Sequence, residues 1–329
     1  MRVTSRDVAE RAGVSQSTVS RVLHNDPGVN PRLRKAVLDA LEETGYIPNQ
    51  LARSMRGTPT DSIGVVVDNL TNPYYQDLLN SLSKELTRCG QRLMVWVGQD
   101  GEEAALRASQ ERLIDGVVFA TVSSGLLEFV QQQHIPAVLL NRINVRVQVD
   151  QVSANNEVAA YGIARYLITH DHKRLALIGG PHSASTARER ERGFLRGCKD
   201  LGIGDVKCYN GEFSYEVAMT VARRLLEADF RPEAIFCVAD LMAFATLDAA
   251  KLLRIRVPED LWVVGFNGVP MSQWAAYDLT TAVQPVQDMV ATGVEFLMSR
   301  IRNPGTPPRR QRLEAPLVTR GSTANAPLV

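Results

Sequence analysis

A row of polar side chains near the start of the chain has the types and spacing needed to read nucleic-acid bases. Residues three or four apart share one face of a helix, and the row consists of Gln16, Ser17, Ser20, Arg21 and His24. Glutamine and arginine carry paired hydrogen-bonding groups that match the edges of adenine and guanine, while serine and threonine hydroxyls suit phosphates. On its own, such a row is more often an ordinary solvated helix face. The neighbouring helices are needed to distinguish that alternative from a base-reading face.

Two short helices position this row. Thr4 and Asp7 form a capping-box pattern at the start of the first helix, and Gly13 supplies the positive φ angle that ends it. Ser15 can cap the second helix. Apolar residues at helical spacing allow the two helices to pack together, namely Val8, Ala9 and Ala12 on the first and Val19, Val22 and Leu23 on the second. The pattern predicts a helix-turn-helix.

Two further helices are expected before residue 60. Asn30 and Pro31 start the third helix, and Gly45 ends it. Its expected buried stripe consists of Leu33, Val37, Leu38 and Leu41. The fourth helix, in the segment YIPNQLARSMRG, spans about two turns and is marginal in water because helix nucleation is unfavourable. We therefore expect it to fold only against a partner.

The composition is that of a globular protein with a basic start. The 329 residues are 45% hydrophobic and 22% charged, and residues 1–60 contain nine Lys or Arg and six Asp or Glu. No apolar run approaches the length of a membrane span, about 18 residues, and no secretory signal is recognisable, so we expect a cytoplasmic protein. The four cysteines lack metal-site spacing and are expected to be buried free thiols. No cofactor or metal is expected.

After Pro59, short apolar runs alternate with longer segments of helical period. The runs are IGVVV (63–67), RLMVWVG (92–98), DGVVFA (115–120), PAVLLN (136–141), RLALIGG (174–180), EAIFCVA (233–239) and LWVVGF (261–266). This alternation predicts an α/β fold with doubly wound parallel sheets, and the number of strands indicates two lobes. The first lobe is expected to end near Val152–Ala154, and the tail after Thr280 adds a strand, a helix and a last strand near Leu313–Thr319.

Doubly wound sheets bind ligands beyond the carboxyl ends of their strands. The polar and aromatic residues expected there are Asp68, Tyr74, Tyr75, Asn141, Arg188, Phe213, Asp240 and Asn267. Nothing among them pairs a nucleophile with a base, and no nucleotide-binding, hydrolase or zinc pattern occurs, so no enzyme is indicated. Arg142, Arg190 and Arg192 are interpreted as surface residues or ion-pair partners. His170 and His172 are interpreted as an exposed turn.

Three stretches together resemble the lactose-repressor/galactose-repressor family of transcriptional regulators. They are VTSRDVAERAGVSQSTVSRVL, GYIPNQLARSMR and IGVVVDNLTNPYY, and the likeness extends over essentially the whole chain. The resemblance implies a homodimer on a palindromic operator of double-stranded DNA, with each second helix in the major groove and paired linkers in the minor groove. It also implies a two-lobed core like that of periplasmic binding proteins, which binds a small-molecule effector and needs no membrane.

The resemblance assigns roles to individual residues. Base reading is implied for Gln16, Ser17 and Arg21, and phosphate contacts for Thr4, Ser15, Thr18 and Ser20. In the hinge, Asn49 and Ala52 match family contacts, Met55 replaces the usual leucine wedge, and Leu51 is expected to pack against the partner's hinge. In the core, Arg188 matches the effector-binding arginine, Phe213 the stacking aromatic and Gln284 a polar contact.

The effector class is left with two alternatives. Asn141 and Asn267 stand where members of the family often carry aspartate, and an amide offers fewer acceptors to sugar hydroxyls than a carboxylate does. Together with Arg188 this favours an acidic ligand, such as a sugar acid or sugar phosphate. A neutral sugar bound by other groups is the alternative.

The expected domains are a helix-turn-helix domain (1–46), a hinge helix and linker (47–60) and a core (61–329). Within the core, one lobe comprises 61–153 and 286–312, and the other comprises 154–285 and 313–325. The end of the chain lacks heptads, which argues against a C-terminal coiled coil. A solute-binding or sensor protein with the same lobes and no DNA-binding role is the rival function, and the helix-turn-helix argues against it.

Overall fold

The computed structural model describes residues 3–23, 26–46, 59–121 and 123–323. The chain forms two compact units that divide between Thr60 and Asp61. Several predicted contacts lie outside the described residues, namely His24 and the hinge residues Asn49, Leu51, Ala52 and Met55.

The first unit contains the predicted helix-turn-helix and the helix that supports it. The helices are α1 (Ser5–Ala12), α2 (Gln16–Leu23) and α3 (Pro31–Thr44). Gly13 ends α1 at a φ of 62°, and the Ser15 hydroxyl accepts a 3.2 Å hydrogen bond from the backbone N–H of Thr18 at the start of α2. The Asn30 side chain caps α3 by accepting from the N–H of Arg32 at 2.9 Å.

The core of this unit is small and closes over one side of α3. Its buried members are Val8, Ala9, Val19, Val22, Val29, Val37 and Ala40. Two expected core residues are in fact exposed, since Leu33 is 43% and Leu38 is 52% accessible. Leu38 follows Val37 by about 100° around the helix, which turns it away from α1 and α2. The predicted stripe was therefore too wide.

The second unit contains two six-stranded sheets, and the first is entirely parallel. Its order is β11-β5-β4-β3-β1-β2. The strands are β1 (Ser62–Val67), β2 (Arg92–Val97), β3 (Gly116–Phe119), β4 (Ala137–Leu140), β5 (Asp150–Ala154) and β11 (Arg310–Leu313). The helices of this lobe are α4 (Pro73–Arg88), α5 (Gly98–Gln110), α6 (Ser124–Gln132) and α11 (Val286–Arg302). Helix α11 packs on β3, β4 and β5, so this late segment completes the first lobe.

The second sheet has the order β12-β10-β9-β8-β6-β7, and only the β10–β12 pair is antiparallel. The strands are β6 (Leu175–Gly179), β7 (Lys207–Asn210), β8 (Ala234–Cys237), β9 (Trp262–Asn267), β10 (Thr280–Val283) and β12 (Leu317–Val318). The helices of this lobe are α7 (Asn156–Thr169), α8 (Ser185–Asp200), α9 (Tyr215–Glu227) and α10 (Asp240–Leu252). The single last strand expected from the sequence is two strands, β11 and β12, one in each sheet.

Both sheets reverse their strand order at an equivalent place. The chain runs outward from β1 to β2 and then crosses to β3 on the other side, and it does the same from β6 to β7 and then β8. Such a reversal leaves a crevice at the carboxyl ends of the strands, because the flanking loops leave the sheet in opposite directions. The two-lobed, doubly wound prediction is confirmed.

Strand β2 forms an apolar edge of the first sheet. Among the described residues it pairs with β1 alone, and its outer positions Met94, Val95 and Val97 are 38–42% accessible. Most exposed sheet edges carry charges or bulges that prevent further pairing. An apolar edge of this kind is typical of a surface that another chain covers.

Two smaller expectations were wrong. His170 and His172 do not form an exposed turn, because both are half-buried against Trp262, with ring centroids 5.5 and 4.3 Å from its ring. All four cysteines are free, as expected, but only Cys198 and Cys237 are buried, while Cys89 and Cys208 are exposed. Within the described residues, no helix is both long and apolar enough to cross a membrane.

Candidate nucleic-acid interface and ligand cleft

The three predicted base readers lie exposed on α2. The Nε2 of Gln16 donates to the Ser5 hydroxyl at 2.7 Å, which links the start of α2 to α1. The guanidinium of Arg21 pairs with Asp26 at 2.7 Å and is 53% accessible. Ser17 shares a 2.7 Å hydrogen bond with Ser15. These contacts hold polar groups at the surface, where they can exchange partners.

The predicted phosphate contacts surround the same helix start. Thr4 and Ser15 are exposed, whereas Thr18 and Ser20 are half-buried. The Ser15 hydroxyl lies 2.9 Å from that of Thr18, at the start of α2, where the first backbone N–H groups have no acceptor within the helix itself. Helix starts of this kind attract phosphates because their N–H groups and the helix dipole both favour an anion.

In the first lobe, the predicted ligand residues follow the carboxyl ends of β1 and β4. Asp68 is exposed just after β1, and Tyr74 and Tyr75 are buried in the first turn of α4. Asn141, directly after β4, is 4% accessible and has a φ of 59°. Positive φ values in residues other than glycine concentrate at functional sites, where the surroundings hold the backbone in place.

The two tyrosines differ in their hydrogen bonding. The Tyr75 hydroxyl accepts from the Arg142 guanidinium at 3.2 Å, while the buried Tyr74 hydroxyl has no partner among the described residues. Burial raises the pKa of both phenols, so both remain protonated at neutral pH and can donate. Tyr74 therefore offers an unused hydroxyl.

In the second lobe, the arginine at the cleft is Arg190 rather than Arg188, which corrects the expected placement. Arg188 is exposed and donates to the carbonyl of His182 on the outer face of α8. Arg190 is 2% accessible and donates to Asn156 Oδ1 at 2.8 Å, to the Val238 carbonyl at 2.7 Å and to Asn267 Oδ1 at 3.0 Å. Arg190 was wrongly expected to be a surface or ion-pair residue.

The charge of Arg190 is balanced only weakly by its surroundings. Its guanidinium lies 3.8 Å from the centroid of the Phe266 ring, and its Nη2 has no partner among the described residues. Burial lowers the pKa of Arg190 to about 9, so it stays charged at neutral pH. A buried cation that contacts only neutral acceptors is costly unless an anion joins it.

Asn267 and Gln284 lie beside Arg190 at the ends of β9 and β10. Asn267 Oδ1 also accepts from Gln284 Nε2 at 2.9 Å, so this one oxygen serves two donors. Asn267 has a φ of 137°, a backbone conformation that residues other than glycine rarely adopt. The Oε1 of Gln284 is buried and has no partner among the described residues.

Asp240 differs from the other predicted ligand residues because its oxygens are already bonded within the lobe. It is fully buried at the start of α10 and accepts from Thr281 Oγ1 at 2.6 Å and from the Val269 N–H at 2.9 Å. Burial raises its pKa to about 6. In this arrangement Asp240 holds the loops after β8 and β9 together.

Phe213 follows β7 and covers Gly180 at the end of β6. A Cβ atom at Gly180 would lie 2.7 Å from the Phe213 ring, so only glycine permits this approach. Phe213 itself has a φ of 52°, in the left-handed region that residues other than glycine rarely adopt. The ring thus forms an apolar wall that suits stacking.

Four unpaired polar atoms belong to the predicted cleft residues or to Arg190. They are Tyr74 Oη, Asn141 Oδ1, Arg190 Nη2 and Gln284 Oε1, all buried and without a partner among the described residues. Buried polar groups are normally satisfied, so a cluster of exceptions indicates that a ligand completes the hydrogen bonding. The set contains one charged donor, one hydroxyl and two amide oxygens, which suits a polyhydroxylated molecule carrying an acceptor or a negative charge.

A separate cavity of about 580 Å³ lies along the outer face of α8. It is lined by His182, Arg188, Glu191, Arg192, Leu195, Arg196 and Lys199. This outer groove contains none of the four unpaired atoms. Within the described residues, no group of His, Cys, Asp and Glu is arranged to hold a metal ion.

The comparisons with known proteins agree with both parts of this geometry. Residues 4–49 match the model of bacterial regulatory proteins of the lacI family, and residues 164–323 match a periplasmic binding protein-like domain. The transcriptional regulator DegA of Bacillus subtilis is 31% identical over 98% of this chain and 99% of its own length.

Solved structures of transcriptional regulators are also similar to this chain over nearly its whole length. A lac repressor dimer bound to operator and the anti-inducer ONPF is 25% identical, with a TM-score of 0.86 over 98% of this chain and 99% of that one. A complex of the transcriptional regulator CelR with cellobiose is 28% identical, with a TM-score of 0.73 over 98% of this chain and 100% of that one. The chain therefore belongs to the LacI family of DNA-binding transcriptional repressors, which are regulators with an effector-binding domain and not enzymes.

Proposed function

We propose that this repressor binds a palindromic operator as a homodimer and that an acidic small molecule in the cleft controls the binding. The observation that carries the DNA-binding part is the exposed face of α2, where Gln16, Ser17 and Arg21 stand on a folded helix-turn-helix. A recognition helix of this kind reads one half-site. Two subunits related by two-fold symmetry therefore match the two half-sites of a palindromic operator. The protein works in the cytoplasm, where the operator is.

The apolar edge of β2 supports the dimer. Met94, Val95 and Val97 form an exposed strip on a strand with one free side, and pairing of two subunits there would remove it from water. The related lac repressor was solved as a dimer on its operator. The hinge contacts of Asn49, Leu51, Ala52 and Met55 remain predictions for the operator complex, and they require the same pairing.

The cleft supports an acidic effector. Arg190 is a buried cation with an unused donor, and Asn141 and Asn267 provide amides where a carboxylate would repel an anion. In this proposal, hydroxyl groups of the same molecule form hydrogen bonds with Tyr74, Asn141 and Gln284. We propose a sugar acid or sugar phosphate, with Phe213 stacking on the ring and Asp68 and Tyr75 at the rim.

A neutral sugar is the second candidate, because the unpaired hydroxyl and amide groups bind sugar hydroxyls without any charge, and the relative CelR was solved with cellobiose. Calorimetry with D-gluconate, D-glucose 6-phosphate and D-glucose separates the two. Tighter binding of either acid supports the acidic effector. Binding of D-glucose alone contradicts it.

The DNA-binding role is tested by replacing Arg21 with alanine. We expect a loss of roughly 1–3 kcal/mol on the cognate operator and relaxed preference at one base pair, because arginine pairs with a single guanine edge. Fluorescence anisotropy with operators altered one base pair at a time measures both effects. The matched control is Arg11→Ala, which removes the same charge from α1, where Arg11 pairs with Glu43.

Arg11→Ala should leave base preference intact, since any contact it makes is to the DNA backbone. Equal losses in both variants, without any change of base preference, would contradict base reading by Arg21. Full-strength binding of single subunits to half a palindrome would contradict the dimer. An absence of operator binding by the intact protein would favour the rival sensor function.

A further inference from the structure

Arg142 occupies a bridging position between the two lobes. It follows Asn141 at the end of β4 in the first lobe and is half-buried. Its Nη2 donates to the Tyr75 hydroxyl at 3.2 Å, also in the first lobe. Its Nη1 donates to the carbonyl of Asn141 at 2.9 Å and contacts the Thr186 hydroxyl on α8 of the second lobe at 3.4 Å.

All of these acceptors are neutral. Within the described residues, neither Arg142 nor Arg190 forms an ion pair, although the chain pairs many other arginines with carboxylates. The two guanidiniums are close enough for the charge of Arg142 to lower the pKa of Arg190, and both lie near the Tyr74 ring. Two neighbouring cations without ion-pair partners repel each other and create a region of positive potential.

The buried carboxylates that act on Arg190 do not neutralise the two cations, and one of them, Glu189, is paired with Arg312 at 2.6 Å. Asp240 contributes a favourable charge to Arg190, but its two oxygens are bonded to Thr281 and to the backbone of Val269. Asp68, whose charge acts on Tyr75, is exposed to solvent. Among the described residues, none of these carboxylates forms an ion pair with Arg142 or Arg190, so the charges of both guanidiniums can attract an anion that enters the cleft.

We infer that Arg142 binds the acid group of the effector from the first lobe while Arg190 binds it from the second. This inference rests on the proposed acidic effector and adds to it the residue that selects the charge. Guanidinium groups suit the role because their planar N–H donors match the two oxygens of a carboxylate or phosphate. An acid group held in this way links the lobes, since Arg142 belongs to the first lobe and Arg190 to the second.

The assignment separates charge recognition from sugar recognition. Tyr74, Asn141 and Gln284 remain available for hydroxyl groups, and none of them is charged. Loss of Arg142 should therefore affect only ligands with an acid group. A residue that merely supported the fold would instead weaken acidic and neutral ligands alike.

The test uses Arg142→Met in the full-length protein, because methionine keeps much of the length and removes the charge. Calorimetry is run with D-gluconate, D-glucose 6-phosphate and D-glucose, so that a carboxylate, a phosphate and a neutral sugar are compared. We expect the variant to lose roughly 10- to 100-fold in affinity for the acid that the wild type prefers. Its affinity for D-glucose should remain unchanged.

Two further variants refine the result. Arg146→Met removes the same charge four residues later, from an exposed side chain, and should bind all three probes like the wild type. Arg142→Lys keeps the charge but loses the planar pair of donors, so its affinity for the acid should fall between those of the wild type and Arg142→Met. Circular dichroism confirms that each variant folds.

The inference is overturned if Arg142→Met weakens D-glucose and the acids equally, or if the wild type does not bind either acid more tightly than D-glucose. Operator binding, measured separately, distinguishes this failure from a failure of the proposed function. If the wild type binds operator and prefers an acid, but Arg142→Met binds that acid as tightly as the wild type does, the repressor assignment and the acidic effector stand and only the role of Arg142 is lost.

Discussion

The inner and outer faces of α8 both carry arginine, but they use it in opposite ways. On the outer face, Arg192 and Arg196 each lie 2.7 Å from Glu157 and are at least half accessible to solvent. On the inner face, Arg190 is buried, and within the described part of the chain its hydrogen bonds go to neutral oxygens alone. The comparison teaches that a buried cation without a carboxylate indicates a ligand site, whereas a larger number of exposed, paired cations does not.

The largest effect should follow from Arg190→Met. We expect D-gluconate affinity to fall about 100-fold, because charge-assisted hydrogen bonds are worth about 1.5–3 kcal/mol. The free energy of unfolding should also fall by about 1–3 kcal/mol, since Asn156 and the Val238 carbonyl lose their donor. Calorimetry and urea denaturation measure the two effects. If Arg190→Met bound D-gluconate as tightly as the wild type does, Arg190 would not be part of the ligand site and the contrast between the two faces of α8 would be wrong.

A second test concerns Asp240, a buried carboxylate whose charge acts on Arg190. Because burial raises the pKa of Asp240 to about 6, the folded protein binds a proton there more tightly than the unfolded chain does. Stability from this group is therefore greatest below about pH 4 and is lost as pH rises toward 6. Relative to Asp240→Asn, the wild type should lose on the order of 2 kcal/mol across that window.

Denaturation of both proteins between pH 4 and pH 7 gives this difference directly. A constant difference between the wild type and Asp240→Asn would show that burial does not perturb Asp240. Such a result would also weaken the description of the inner face as a strongly desolvated environment.

A smaller effect is expected for Glu157→Gln on the outer face. Its ion pairs with Arg192 and Arg196 are exposed to solvent, so their removal should cost less than about 1 kcal/mol and even less in high salt. Urea denaturation at two salt concentrations measures this. A cost as large as that of Arg190→Met would erase the contrast between the two faces.

The smallest effect is expected for Arg188→Met. Its side chain lines the outer groove and contacts the His182 carbonyl, so D-gluconate affinity should stay unchanged and stability should change by less than about 0.5 kcal/mol. This variant is the matched control for Arg190→Met. Lost ligand binding here, with normal binding in Arg190→Met, would restore the assignment made from the sequence.

The arginine at the cleft could not be identified from the sequence for a physical reason. Arginine and glutamate alternate in RERER, residues 188–192, with a period of two, whereas a helix has a period of 3.6. No single face of α8 is therefore marked by composition. Packing against Phe266 and the end of β9 selects Arg190, and those partners lie more than 70 residues later in the chain.

The fold was more accessible to prediction, because buried parallel strands are continuous apolar runs. Every apolar run identified in the sequence corresponds to a strand, but β5, β7, β10, β11 and β12 lack such runs. Strand β5, with the sequence DQVSA, is fully buried between β4 and β11, and the charge of its Asp150 is paired with Arg300 and Arg309. Those partners follow about 150 residues later, so local composition cannot indicate that the strand is internal.

The apolar edge of β2 also has a consequence for the newly synthesised chain. Until something covers it, each subunit presents unpaired backbone groups beside Met94, Val95 and Val97. Extended segments of other unfolded chains can add to such an edge and form insoluble material. Recovery from inclusion bodies should therefore depend strongly on dilution, and a lysine introduced at Val95 should raise the soluble yield of unassembled subunits.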